Sequence, residues 1–190
     1  PGLLTRLTTP GTPFGRHAAL MMATTSGALD VLGIPVIAGR MFDAGDDAGL
    51  RAVAVVNETT ARRLYGTRQV IGRDIVIQEV IRSPREPRVF TIVGVARDTD
   101  VVSLYGRQLG AIYIPLSQVP TSPNVYLIAR GPGAAAAARV LQSAVRRVHP
   151  DLGFWFVGPG TALMAGEYLL ARVAAMLAVA LGGIALLLAT

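Results

Sequence analysis

Cysteine is absent from the 190 residues. That excludes a disulfide framework, a thiolate nucleophile and any zinc or iron–sulfur site built on Cys. Lysine is absent too, because all 18 basic residues are Arg. A Walker A lysine, a Schiff-base lysine and a Ser–Lys dyad are therefore excluded within this chain, so any ATP hydrolysis belongs to another chain or segment. Charge is scarce, at 16% of residues, against a hydrophobic fraction of 52%. With a mean hydropathy of +0.48, this is no disordered tail. The length suits one domain, or one domain with an appendage, and can bury a real core. The chain starts at Pro1 without an initiator Met and ends just after an apolar run, so it reads as an excerpt cut at both ends.

Histidine occurs twice, as His17 and His149. No nucleophile motif accompanies either, no G-x-S-x-G surrounds any serine, and a capping or surface role is the plainer reading. Asp43, Asp46 and Asp47 resemble a calcium loop only superficially. The ligand spacing fails, and Ala54 stands where the closing Glu belongs. Turn formation and solvation are expected of them. Asp98 and Asp100 form a D-x-D after a strand, with no second ligand group or pocket in sight; a polar strand end is the simpler reading. Trp155 reads as core or interfacial. Gly131 and Gly133 flank a proline in a turn, not a phosphate loop. The expectation is no catalytic residue, no cofactor and no metal.

The net charge is +6 and the isoelectric point about 10.7. Such a balance fits nucleic acid or an anionic surface. The arginines are scattered, however, without a basic run or interleaved aromatics, so a solvated surface is preferred and nucleic acid is not expected.

Along the chain, residues 1–16 are rich in Pro, Gly and Thr and read as a loop or a truncated N-terminal part. Residues 17–25 read as a strand. Ser26 is a candidate N-cap for a short helix to Leu32, closed by Gly33, after which Pro35 extends the chain. Residues 43–49 read as a polar turn. Residues 52–56 form a compact apolar run, read as a buried strand. Asn57 can cap a helix over residues 58–65, with Glu58 at its positive end and Gly66 at its close. Residues 74–81 and 89–96 are β-branched strands joined by the loop RSPREPR. Residues 111–116, 125–129 and 154–157 complete the strand set. Residues 134–149 form an amphipathic helix with Val140, Leu141, Ala144, Val145 and Val148 on one face, stopped by Pro150. This order predicts an α/β (α+β) domain, a mixed sheet with packed helices.

The apolar excess lies at the C-terminal end. Val173 to Ala189 is a run of 17 residues without a charge. A spanning helix needs about 17–25 such residues. Val173, Met176, Leu177, Val179, Leu181, Ile184, Leu186, Leu187 and Leu188 cover every face. Gly182 and Gly183 would allow a neighbouring helix to approach. The expectation is a C-terminal transmembrane helix. The stretch from Thr161 to Ala189 lacks proline, which suits a helix that transmits rotation.

Taken in order, TTSGALDVLGIPVIAGRMF, VAVVNETTARRLYG, VIGRDI, FTIVGVARD, AIYIPL, AVRRVHPDL and ARVAAMLAVALGGIALLLA resemble the periplasmic core domain of MacB-like ABC transporter permeases. The last piece resembles the start of an FtsX-like permease domain. The likeness spans about residues 17–190. It departs at Ala28–Leu29, where many relatives carry an aromatic pair, and in the loop RSPREPR. The resemblance implies a core domain over 17–160 and, over 161–190, a helix entering the membrane domain. It implies a cell inner-membrane location with residues 1–168 periplasmic, a separate cytoplasmic ATPase subunit, a homodimer or permease pair and a periplasmic partner. The function implied is a non-enzymatic permease subunit that couples ATP-driven helix motion to export or to force on that partner. A membrane-tethered sensor or ligand-binding domain is the alternative reading of the residues alone.

Overall fold

The computed structural model describes residues 3–13, 17–46, 51–79, 87–99, 103–104, 107–119, 125–131, 133–154, 156–159 and 162. The chain forms two compact units, Pro1–Ile128 and Ala129–Thr190.

In the first unit the strands are β1 (Leu3–Thr8), β2 (Ala18–Thr24), β3 (Val36–Gly39), β4 (Val53–Asn57), β5 (Asp74–Glu79), β6 (Arg88–Ala96), β7 (Ser103–Leu104), β8 (Arg107–Gln108) and β9 (Gly110–Pro115). The helices are α1 (Ala28–Leu32) and α2 (Glu58–Tyr65). β7 and β8 form a small separate hairpin. The other seven strands form one mixed sheet in the order β3-β6-β4-β9-β2-β1-β5. β2–β9 and β4–β6 are parallel, and the other pairs are antiparallel.

The expected mixed sheet is present, and it closes. β5 pairs with β1 on one side and with β6 on the other. The ring β6-β4-β9-β2-β1-β5 is therefore a barrel whose six strands are each paired on both edges, and β3, paired with β6 alone, is the edge strand. β3 continues the ring beside the C-terminal half of β6.

Closure follows from a strict inside–outside alternation. Ala54 and Val56, Ile112 and Ile114, Phe90 and Ile92, Ile75 and Ile77, Leu7, Ala19 and Met21 share one buried cluster, the barrel interior. Val53, Val55, Ala111 and Tyr113 point the other way. They join Leu29 of α1, Ile34 and Phe42 in a second cluster that covers the outside of β4 and β9. In β6 the register slips, with Ala54 opposite Ile92 but Val55 opposite Gly94. This bulge at Val93 turns Val95 into the interior cluster and leaves Ala96 in the outer one. α2 closes one end of the barrel, with Ala61 in the interior cluster and Leu64 and Tyr65 packed against it.

Several expectations need correction. The stretch expected to be an N-terminal loop contains β1, a full member of the ring. Its Thr5 is buried and donates its hydroxyl to the Ala19 carbonyl at 3.2 Å. α1 starts at Ala28 behind Gly27, with no capping side chain, so Ser26 does not serve as its N-cap. Gly33 does close it, in the left-handed conformation at φ 72°. Val125–Ala129 is not a strand: the residues are exposed and outside any sheet. The described residues of 154–157 form no strand either.

In the second unit, α3 (Ala134–Val148) starts from Gly133 and ends at His149, as expected. It has no buried residue. Arg146 lies over the Phe154 ring at 5.8 Å. The loop residues 82–86, Asp47, Asp100, Trp155 and the apolar run 173–189 lie outside the described residues. Among the described residues, no helix is long and apolar enough to cross a membrane.

Candidate functional site

Polar side chains gather at the two ends of the barrel. At the α2 end, Asn57 is fully buried. Its Oδ1 accepts from the Thr60 N–H at 2.9 Å and from the Ala111 N–H at 2.9 Å. Its Nδ2 donates to the Leu109 carbonyl at 3.1 Å. One side chain thus caps the helix and ties it to β9. Asp98, just past β6, accepts from the Thr59 N–H at 3.0 Å and from the Thr59 hydroxyl at 2.7 Å. Two free N–H groups of the first helical turn are thus met, Thr60 by the Asn57 amide and Thr59 by Asp98, an acid at the positive end of the helix.

Glu58 sits between these groups. Its carboxylate accepts from Arg68 at 2.7 Å, from Arg62 at 3.3 Å and from the Asp98 N–H at 3.4 Å. Burial pushes its carboxyl upward, but those hydrogen bonds and the two guanidinium charges outweigh it, leaving the group below its ordinary value.

At the other end, Arg40 holds Asp46 through two bonds, Nη1 to Oδ2 at 2.6 Å and Nη2 to Oδ1 at 3.0 Å. That bidentate hydrogen bond keeps the Asp46 carboxyl below the usual range. Gln118 accepts from the Val53 N–H at 3.2 Å and donates to the Asp46 carbonyl at 2.7 Å. Arg88 donates to the Gln118 carbonyl at 3.0 Å and lies over the Phe90 ring. These bonds lock the start of β4, the start of β6 and the turn after β9 together.

Chemically, both ends are spent on structure. Asp98, singled out in the sequence as half of a carboxylate pair, is a helix-anchoring acceptor. Asp46 is 7% exposed and ion-paired, a structural role rather than the solvation expected of it. His17 is exposed just before β2, and its carbonyl accepts from the Leu7 N–H at 2.9 Å. His149 is the C-cap residue of α3. Among the described residues, no group of three or more His, Cys, Asp or Glu could hold a metal ion. Among the described residues, the buried Tyr113 hydroxyl has no hydrogen-bond partner. Burial, with the charge of Asp98, pushes it up to about 12. A depression of about 390 Å³ lies beside β3, lined by Gly39, Arg40, Ile71, Gly72 and Thr91–Val93. Ile71 at its rim is 47% exposed.

Sequence reasoning missed Arg40, Arg88 and Gln118. Arg40 and Asp46 are close in sequence and could have been paired. The Gln118 side chain meets its partners across 65 to 72 residues of chain, and nothing local marks it. The eleven residues expected to span a membrane all lie outside the described residues.

A family model described as the MacB-like periplasmic core domain matches residues 4–145. Among solved structures, the periplasmic region of MacB from Actinobacillus actinomycetemcomitans aligns with a TM-score of 0.56 at 16% identity, over 87% of this chain and 77% of that one. The extracellular domain of the noncanonic ABC-type transporter YknZ from Gram-positive bacteria aligns with a TM-score of 0.38 at 17% identity, over 60% of this chain and 56% of that one. No curated protein sequence matches. The family match takes in most of α3 and all of the barrel but Leu3, and the MacB fold agrees with it: the chain belongs to the MacB-like periplasmic core domain family.

Proposed function

We propose that this chain is the extracytoplasmic part of an ABC transporter permease subunit. It couples ATP-driven motion of membrane helices to export, or to force on a periplasmic partner. The observation that carries this reading is the family match over residues 4–145. The barrel supports it physically. A closed ring with both ends tied by buried side-chain bonds moves as one body, which suits a part that passes on displacement. The described polar clusters hold the fold together, and in this reading the subunit is non-enzymatic, with ATP hydrolysed on a separate ATPase subunit or segment. In this reading Val173–Ala189 crosses the inner membrane, residues 1–168 lie outside it, and the subunit works as a homodimer or permease pair.

The test is purification of the parent protein from membranes in mild detergent. The expected result is retention in the membrane fraction after an alkaline wash, and co-purification of a cytoplasmic ATPase in fixed ratio. Recovery in the soluble fraction, or from membranes with no ATPase attached, overturns the reading.

A further inference from the structure

We draw no further inference here: the strongest candidate, the exposed apolar run Val125–Ile128 at the end of the barrel unit, lies outside any sheet with no hydrogen bond to another described residue, and nothing in the structure shows what covers it.

Discussion

β4 and the run Val125–Ile128 look alike in sequence: each is a compact apolar stretch too short for a helix. Their fates differ. β4 pairs on both edges, with β6 and β9, and all five of its residues are buried. Val125, Tyr126, Leu127 and Ile128 are 62%, 42%, 59% and 53% exposed. The helices repeat the contrast. α2 has eight residues, and its Thr60 and Ala61 are buried. α3 has fifteen, with a well-formed apolar stripe, yet buries none. An apolar run states a need for cover; what supplies the cover is a matter of topology.

The largest expected effect breaks this contrast at its core. Phe90 is 2% exposed inside the barrel, and Val148 on α3 is 73% exposed. Phe90→Ala removes a ring from a closed interior that cannot collapse around the gap, at a cost of about 3–5 kcal/mol. Val148→Ala should stay within about 0.5 kcal/mol. Urea unfolding followed by circular dichroism measures both. Equal losses would mean that the α3 stripe is covered as well as the barrel interior is.

The next effect sets the start of one helix against the interior of another. Asn57→Ala strips α2 of its cap and leaves the Ala111 N–H and the Leu109 carbonyl unmatched, so a loss of about 2–3 kcal/mol is expected. On α3, the exposed Ser143 hydroxyl donates to the Val140 carbonyl within its own helix. Ser143→Ala should change stability by less than about 0.5 kcal/mol. Denaturation midpoints of the two variants, compared at one pH, check the difference.

A third contrast sets two glycines against each other. Gly94 pairs with Gly39 where β3 crosses onto β6. A Cβ on Gly94 would lie 2.2 Å from the Arg40 carbonyl oxygen, a backbone atom that cannot swing away. Gly94→Ala should cost about 1–3 kcal/mol. Gly131 has nothing within 4 Å of the same position. Gly131→Ala should be neutral or slightly stabilising, by up to about 1 kcal/mol through the unfolded chain. Amide exchange along β3 would localise the damage in the Gly94 variant.

Legibility in the sequence follows the range of the interactions. Asn57, the helix after it and Gly66 were readable because capping acts within a few residues. β4, β5, β6 and β9 were readable from their own β-branched runs. β1 was not: its Pro- and Gly-rich surroundings suggested a loop, and Thr5 gave no sign that it would be buried against β2. Barrel closure was invisible for the same reason, since it needs β5 to meet β1 across roughly seventy residues of chain. Of the polar clusters, the sequence placed Glu58 at the α2 start and Asp98 after β6, but not the bonds that join them to Thr59, Arg62 and Arg68. The runs 125–129 and 154–157 misled because apolar composition was read as strand without a neighbouring strand to pair.

The smallest effect separates the barrel from α3 by pH. Glu58 and Asp46, both in the barrel unit, are held below their ordinary values of 4.5 and 3.8. A carboxylate whose folded value is depressed takes up its proton more readily when unfolded. The stability it contributes is therefore complete above its ordinary value and is lost as the pH falls toward the lower folded one. α3 has no Asp or Glu, so nothing within that helix titrates over the same range. Barrel stability should be flat from about pH 7 to 5 and decline from about pH 5 to 3. Glu58→Gln keeps the shape but accepts more weakly from Arg68 and Arg62. It should lower stability at neutral pH and make the acid decline shallower. Urea midpoints across that range measure both slopes. Parallel slopes for wild type and variant would show that Glu58 gains nothing from its arginines when the chain folds.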